Sequence, residues 1–140
     1  MQFITAFLTM IATFVTFTMA TTVSYDTTYD NAQGSLLTTS CSDGSHGLAQ
    51  PFPTFGSLPD FPYIGGASVV AGWNDANCGS CWQITYSGTG KSINILVVDH
   101  AADGFNLSQE AMDVLTDGQS VQLGRVDAQV TQIDVSQCGL

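Results

Sequence analysis

Four cysteines, Cys41, Cys78, Cys81 and Cys138, constrain this 140-residue chain more than any other feature of its sequence. In an oxidising compartment they form two disulfides, for which three connectivities exist. A Cys78–Cys81 bridge would close a very small ring and leave Cys41 to pair with Cys138. Alternatives such as 41–78 with 81–138 close loops of about 38 and 58 residues, each stabilising the fold by roughly 3.5–4.5 kcal/mol on the chain-entropy model. Two structural disulfides are therefore predicted if the chain is exported.

The N-terminal segment, MQFITAFLTMIATFVTFTMA, predicts that export. It holds no charged side chain and is mostly apolar, which fits either a membrane-spanning helix or a signal peptide. Thr18-Met19-Ala20 approximates the small-x-small pattern of a cleavage site, and the polar segment TTVSYD follows at once. We therefore expect residues 1–20 to be a cleaved signal peptide. Residues 21–140 then form one secreted, extracellular domain that has no membrane attachment after cleavage.

The charge balance excludes several classes of partner. Lys and Arg number 2 and Asp and Glu number 12, which gives a formal net charge of −10. So few cations cannot neutralise a row of phosphates, which argues against nucleic acid. An anionic membrane surface is disfavoured for the same reason. Neutral carbohydrate and other proteins remain as expected partners.

The sequence predicts no metal site and no cofactor. Cys78-Gly79-Ser80-Cys81 has the spacing of a redox motif, but such motifs begin a helix, and a strand pattern follows here. Zinc is poorly served as well, because Cys41 and Cys138 are far away in the sequence and each stands alone. A role in disulfides is the better interpretation of all four cysteines.

Alternating apolar side chains predict a mainly β domain. In CWQITYS, Trp82, Ile84 and Tyr86 share one face of a strand. The next run, SINILVVD, is apolar on both faces, which is typical of a central strand in a barrel or a sandwich. SVQLGRV and VDAQVTQIDV predict further strands, separated by a Gly-Arg step that indicates a bulge or a sharp bend.

One irregular segment and one helix complete the pattern. Residues 41–66 contain all four prolines, interleaved with aromatic residues, and predict an ordered loop that packs against the core. Ser108 is the expected N-cap of a helix whose apolar face includes Ala111 and Leu115 and which ends at Gly118.

Asp99 is the strongest candidate for chemistry, because it ends the buried strand and opens a glycine-containing loop. A carboxylate there can bind a ligand or cap local backbone amides, and the residues alone do not choose between the two. A glycosidase pair would need a second carboxyl group about 5–9.5 Å away. None of the available aspartates is marked as desolvated; they are Asp26, Asp30, Asp75 and Asp103.

Other catalytic arrangements fare worse. Asp99 and His100 are adjacent on a predicted strand and point to opposite faces, so Asp99 cannot orient that imidazole in a Ser-His-Asp triad. Trp82 shares its face with core residues, which favours packing. Trp73 lies in a predicted loop, where it can stack on a sugar or plug a barrel end. Asn106-Leu107-Ser108 is an N-glycosylation sequon just before the helix.

Taken together, these residues resemble the cerato-platanins, a family of small secreted fungal proteins. The resemblance runs in order over residues 24 to 138. It is carried by the following segments: Ser24-Tyr25-Asp26, Cys41-Ser42-Asp43-Gly44, Pro53-Thr54-Phe55-Gly56, Ile64-Gly65-Gly66, Gly72-Trp73-Asn74, Asn77-Cys78-Gly79, Asp99, Gly104-Phe105-Asn106, Ala111-Met112-Asp113 and Val121-Gln122-Leu123-Gly124-Arg125-Val126.

The resemblance implies a six-stranded double-psi β-barrel with short helices, similar to the first domain of expansins. It also implies the disulfides Cys41–Cys78 and Cys81–Cys138. Members of the family lie in the fungal cell wall or are released, bind chitin fragments and elicit plant defences. Some loosen cellulose without cutting it.

The same resemblance implies where a glycan binds. The family's groove carries an aspartate that matches Asp99, whereas Asn106 stands where related endoglucanases have a proton-donating Asp. An amide cannot donate a proton as a carboxylic acid does, so no catalytic residue is expected. We expect a non-catalytic chitin-oligomer site formed by Asp99, Asn106 and the backbone near Asn77 and Gly79, with Tyr25 or Trp73 stacking on the sugar. Cellulose loosening and recognition by a plant receptor are the alternatives.

Overall fold

The apolar run that predicts a central strand forms the longest of the strands that the structure describes. A computed structural model describes residues 10–13 and 15–140. Its six strands are β1 (Thr18–Tyr25), β2 (Ile64–Ala67), β3 (Cys81–Tyr86), β4 (Lys91–His100), β5 (Phe105–Leu107) and β6 (Arg125–Ile133). Its α-helices are α1 (Gln109–Thr116) and α2 (Ser120–Leu123), and short 3₁₀ turns lie at Thr27–Asp30, Leu36–Thr38, Phe55–Ser57 and Val135–Cys138.

The strands close into a barrel in the order β1-β5-β2-β4-β3-β6, with β6 pairing back to β1. The pairs β1–β5 and β2–β4 are parallel and the other pairs are antiparallel. Closure leaves no open sheet edge for another chain to extend. The expected six-stranded β-barrel with short helices and two disulfides is confirmed.

Strands β3 and β4 both contribute apolar side chains to the core. On β4, Ile93 and residues 95–98 are all buried, so both faces of this strand are covered. On β3, Trp82 and Ile84 are buried while Gln83 is exposed, as the alternation predicts. The indole of Trp82 packs edge-on against Phe105 at a ring distance of 5.6 Å. Each such apolar side chain contributes about 1.5–3 kcal/mol on burial.

Helix α1 begins after Ser108 as the sequence predicts, but it ends at Thr116, two residues before the expected stop at Gly118. The Ser108 hydroxyl accepts a hydrogen bond from the Ala111 N–H at 3.1 Å. The Asp30 carboxylate accepts two more from the N–H groups of Gln109 and Glu110, both at 2.9 Å. These bonds satisfy the first turn of a helix only 8 residues long, which needs such support to be stable.

Two predicted boundaries are wrong. SVQLGRV is not a strand, because residues 120–123 form α2 and strand β6 begins only at Arg125. The Asp113 carboxylate accepts hydrogen bonds from both the N–H and the hydroxyl of Ser120, which holds the chain in a helical turn there. The loop predicted over residues 41–66 also ends early, because β2 begins at Ile64.

Disulfides join Cys41 to Cys78 and Cys81 to Cys138, the pairing that the resemblance implies. The first ties two loops together, and the second fastens the start of β3 to the C-terminal 3₁₀ turn. Since all four cysteines are bridged, Cys78 and Cys81 are not a dithiol pair.

The predicted signal peptide lies partly outside the described residues, and its removal stays a prediction. The expected cleavage point after Ala20 falls inside β1, where Thr18, Met19 and Ala20 pair with residues 129–131 of β6. Within the described ranges, no helix has the length and apolar character that crossing a bilayer requires.

Candidate functional site

Asp99 lies near the end of β4, and three groups of the protein hold its carboxylate. Oδ1 accepts hydrogen bonds from the N–H groups of Ser40 and His100, both at 2.8 Å. Oδ2 accepts one from the Tyr29 hydroxyl at 3.0 Å. The structure thus shows the amide-capping contacts that were one of the two roles foreseen for Asp99. The carboxylate fixes the loop before the first disulfide and the turn at Tyr29 against the barrel.

Tyr29 is a stable partner for this carboxylate. Its side chain is buried and packs against the Phe55 ring at a centroid distance of 5.9 Å. Burial, reinforced by the negative charge of Asp99, raises the pKa of the Tyr29 hydroxyl well above its ordinary value. The hydroxyl therefore keeps its proton at every physiological pH and remains a donor to Asp99.

A cleft of about 560 Å³ opens beside this network; we call it the Tyr25–Asn106 cleft. The end of β1, the end of β4, the 101–103 loop and β5 form its walls, and the start of β6 borders it. Its lining comprises Ser24, Tyr25, Asp26, Tyr29, His100, Ala101, Ala102, Asp103, Asn106 and Arg125. Asp99 is not itself in the lining, but its two bonded neighbours, Tyr29 and His100, are.

Strand pairing fixes Asn106 in the cleft. On β5 it is in register with Ser24 of β1 on one side and with Gly66 of β2 on the other. Its Oδ1 accepts a hydrogen bond from the Ser24 hydroxyl at 3.0 Å, so its Nδ2 group is turned to serve as a donor. Gly65 permits this close pairing, because any Cβ there would collide with the backbone carbonyl of Asn106.

Two basic side chains also face the cleft. The Nδ1 of His100 contacts the Val70 carbonyl, which can only accept, so Nδ1 carries a proton and Nε2 is left for other partners. Arg125 donates from one guanidinium nitrogen to the Thr22 hydroxyl at 2.8 Å. His100 directly follows Asp99 in the sequence and Arg125 lies in a segment that carries the family resemblance, but neither was expected to line the site; barrel closure brings the two together at the cleft.

The remaining expected site residues lie outside this lining. Trp73 is 63% exposed, and its indole N–H donates to Asp43 at 2.7 Å, which lowers the pKa of that carboxyl. Asn77 donates to the Val69 carbonyl at 2.9 Å, and the Gly79 N–H donates to Val97 at 2.8 Å.

These loops still reach Asp99 through Ser40. The Ser40 N–H binds the Asp99 carboxylate, and the Ser40 carbonyl accepts a hydrogen bond from the Asn74 N–H at 3.0 Å. Trp73 itself does not line the Tyr25–Asn106 cleft.

Two further aspartates need to be placed relative to the cleft: Asp26 caps a turn beside it, and Asp60 lies outside its lining. Asp26 accepts from the Thr28 N–H at 2.8 Å and caps the first 3₁₀ turn. Burial raises the pKa of the Asp60 carboxyl to about 7, but Asp60 does not line the Tyr25–Asn106 cleft. Sequence reasoning missed Asp60, whose position between Pro59 and Phe61 gave no signal beyond its proline-rich, aromatic surroundings. No cluster of His, Cys, Asp or Glu suited to a metal occurs in residues 10–13 and 15–140.

Comparison with known proteins identifies the family. The cerato-platanin family model matches residues 21–140. The allergen Asp f 15 of Aspergillus fumigatus is 47% identical over 116 residues, which are 83% of this chain and 75% of that relative. The crystal structure of cerato-platanin 2 from M. perniciosa aligns with a TM-score of 0.85 at 49% identity, covering 87% of this chain and 100% of that one.

A solution structure, that of the fungal elicitor cerato-platanin, aligns with a TM-score of 0.77 at 40% identity, covering 84% of this chain and 95% of that one. The family is secreted and in general not enzymatic. The family model spans every strand from β2 to β6, most of β1 and all four bridged cysteines. This chain therefore belongs to the cerato-platanin family.

Proposed function

We propose that this protein is a secreted, non-catalytic glycan-binding protein that takes chitin oligomers in the Tyr25–Asn106 cleft. The observation that carries the proposal is the lining of that cleft. It joins an aromatic ring from Tyr25, an amide from Asn106 and an imidazole from His100 within about 560 Å³. Ligand pockets typically have volumes of about 300–1,000 Å³.

The chemistry of these groups suits N-acetylglucosamine. Its hydroxyl and acetamido groups both donate and accept hydrogen bonds, and the cleft offers the Asn106 amide, the Nε2 of His100 and the carboxylates of Asp26 and Asp103. The Tyr25 ring supplies a face against which the apolar side of a sugar can pack. A neutral ligand also avoids repulsion by a chain whose net charge is −10.

Binding without hydrolysis follows from the same residues. By the family resemblance, Asn106 stands where related endoglucanases have a proton-donating Asp, and an amide cannot supply that proton. The Asp99 carboxylate already accepts three hydrogen bonds, which suits a positioning role behind the cleft wall. We expect no reducing sugar to be released from soluble glucan or chitin oligomers.

The decisive experiment is an NMR titration of the oxidised protein with chitin oligomers, comparing wild type with Asn106→Ala. In the wild type, the chemical-shift changes should cluster at residues 24–29, 99–106 and 125. In the variant, the apparent affinity for the oligomer should be at least tenfold lower. Gln122→Ala, on the exposed surface of α2, is the matched amide control and should bind like the wild type. An absence of shifts at millimolar sugar would overturn the chitin proposal.

A second function, elicitation of plant defence, is favoured by the solved relative described as a fungal elicitor. We propose that this chain shares that property through recognition by a plant receptor. Exposing cultured plant cells to wild type and to Asn106→Ala tests whether the cleft is involved. Cell death that persists with the binding-deficient variant would place recognition on another surface. Fragmentation of filter paper without sugar release would instead support expansin-like loosening of cellulose.

A further inference from the structure

The chain has two tryptophans, and their surroundings differ. Trp82 is buried in the core, and its indole N–H donates a hydrogen bond to the Ser80 hydroxyl at 2.9 Å. Trp73 lies in the loop between β2 and β3, where 63% of it is exposed and its indole N–H donates to the Asp43 carboxylate at 2.7 Å. The fold thus presents a large aromatic face to solvent. Exposed aromatic side chains of this kind are frequent anchors of protein interfaces.

The Trp73 ring is held in a preformed position by two loops, which the Cys41–Cys78 disulfide joins. Next to the ring, Asn74 adopts the left-handed conformation, with a φ of 58°, which residues other than glycine rarely do. Its Oδ1 accepts a hydrogen bond from the His46 N–H at 2.7 Å, across the two loops. Because the loops are already ordered, binding a partner costs little entropy for positioning the ring.

The hydrogen bond to Asp43 decides which chemical groups the ring attracts. This bond from the Trp73 indole is the main cause of a lowered pKa for the Asp43 carboxyl, which is therefore ionised at neutral pH. The negative charge at the edge of the indole draws the N–H proton and leaves more electron density on the ring face. A cation is attracted to an aromatic face, and most strongly to that of tryptophan. A second ionised carboxylate, Asp75, lies two residues further along, its pKa lowered chiefly by a hydrogen bond from the Asn77 N–H.

The charge of the surrounding surface favours a cationic partner as well. His46 is the basic residue of the two loops, and its Nδ1 contacts the Asn74 carbonyl at 3.1 Å. Lys91 and Arg125, the Lys and Arg of the chain, begin strands β4 and β6 and so belong to the barrel. The net charge of −10 attracts a basic segment from a distance and repels an acidic one. A neutral sugar would gain nothing from these charges.

We propose that Trp73 and Asp43 form a docking site for a Lys or Arg side chain in a basic segment of another protein. The cation lies over the exposed indole face and donates a hydrogen bond to the exposed Asp43 carboxylate, while the apolar stem of the side chain packs along the ring. One such contact at a surface is weak, so the partner segment carries several cations that the acidic surface also attracts. The site lies outside the Tyr25–Asn106 cleft and does not rest on the proposed chitin binding.

The test is an NMR titration with two matched peptides. One is a short flexible peptide with several Arg residues, and the other carries citrulline, the neutral isostere of arginine, at each of those positions. The indole N–H signal of Trp73 should shift with the Arg peptide, at an apparent affinity about threefold or more above that for the citrulline peptide. The indole signal of Trp82 should stay unchanged as the internal reference. Equal shifts with both peptides, or none with either, overturn the proposal.

Variants distinguish a specific site from attraction by net charge alone. Trp73→Ala and Asp43→Asn should each lower the affinity for the Arg peptide by about threefold or more, followed at the backbone amides of residues 43–46 and 72–75. Asp127→Asn removes the same charge from an exposed position on β6 and should bind the peptide like the wild type. Equal losses of affinity in Asp43→Asn and Asp127→Asn would contradict a site at Trp73.

Chitin oligomers separate this site from the Tyr25–Asn106 cleft. Trp73→Ala should bind the oligomers like the wild type, and the oligomers should leave the Trp73 indole signal of the wild type in place. A larger shift of that signal with oligomers than with the Arg peptide would assign the ring to sugar and sink the proposal.

Discussion

The hydrogen bond from Tyr29 to Asp99 links the 3₁₀ turn after β1 to the end of β4, and we expect Tyr29→Phe to weaken the fold. Removing the hydroxyl leaves a partly buried carboxylate with one fewer donor. The free energy of unfolding should fall by about 1.5–3 kcal/mol, because hydrogen bonds to charged groups contribute that much. Urea denaturation at pH 7 measures it. Tyr86→Phe, whose hydroxyl has no described partner, should change stability by less than about 0.5 kcal/mol. Equal losses in both variants would contradict this role.

The Asp60 carboxyl should make stability depend on pH in a direction opposite to that of most aspartates. Its pKa of about 7 in the fold exceeds the value near 3.9 expected in the unfolded chain. The folded state then binds more protons between these values, so the contribution of Asp60 is full below about pH 4 and is lost as pH rises through about 7. The carboxyl is only half-buried, so solvent screening reduces the loss to about 1–2 kcal/mol.

Comparing wild type with Asp60→Asn isolates this effect from other titrating groups. The variant should gain about 1–2 kcal/mol of unfolding free energy relative to wild type between pH 4 and pH 8. Urea denaturation at pH 4, 6 and 8 gives the difference at each point. A difference that stays constant across the range would show that Asp60 titrates at its ordinary value in the fold.

Single residues of the candidate site could be predicted only in part. Asp99 stands out because it ends an apolar strand, and Asn106 and Tyr25 follow from the family resemblance. Tyr29 carries no local signal, and neither the position of His100 beside Asp99 nor that of Arg125 after Gly124 indicates a shared site, because the three residues meet only through barrel closure. Trp73 and Asn77, though close to a cysteine in sequence, do not line the cleft: Trp73 donates to Asp43 in another loop, and Asn77 donates to the nearby Val69 carbonyl.

At the scale of elements, Gly124 explains why α2 gives way to β6 without a loop. It has φ of 65° and ψ of −51°, a conformation that side-chain-bearing residues rarely adopt. Nothing lies within 4 Å of where its Cβ would be, so Gly124→Ala tests backbone strain alone. We expect it to lower the free energy of unfolding by about 1–2 kcal/mol. Gly72→Ala also enters open space, at an ordinary φ, and should change stability by less than about 0.5 kcal/mol. Thermal or urea unfolding that ranks the two equally would contradict the argument.

The type of a secondary-structure element could be predicted from the sequence only where its apolar pattern was long enough to show a period. Strands β3 and β4 and helix α1 have clear alternation or caps, and their positions were predicted well. The strands β2 and β5 have 4 and 3 residues, too short for period-two alternation, and they exist because β1 and β4 pair with them from far along the chain. Residues 120–123 alternate like a strand, but the Asp113 carboxylate holds Ser120 in a helical turn, a tertiary contact that no local pattern reports.

For the whole molecule, the two disulfides join cysteines that are 37 and 57 residues apart in sequence and enclose most of residues 21–140. On the chain-entropy model each bridge is worth about 4 kcal/mol, and the longer loop exceeds the shorter by only a few tenths. Replacing Cys41 and Cys78 by alanine, or Cys81 and Cys138, should therefore cost nearly the same free energy of unfolding. Small domains have total stabilities of about 5–15 kcal/mol, so each single-bridge variant should still fold at 25 °C and melt well below the wild type.

The two variants should nevertheless differ in which residues exchange their amide protons faster. Equal losses of unfolding free energy report on the entropy of the unfolded chain, whereas the place of faster exchange reports on contacts in the native fold. Without Cys81–Cys138 the turn Val135–Cys138 loses its covalent link to β3, so amide exchange should quicken at residues 134–140 while β4 stays protected. Without Cys41–Cys78 the loosening should fall on residues 40–48 and 74–79, beside the network of Asp99. Removing both bridges should leave much of the chain unfolded at 25 °C, because the loss of roughly 8 kcal/mol is comparable with the whole stability of such a domain, about 5–15 kcal/mol. A double-bridge variant that retains native amide protection would show that barrel packing alone holds the fold.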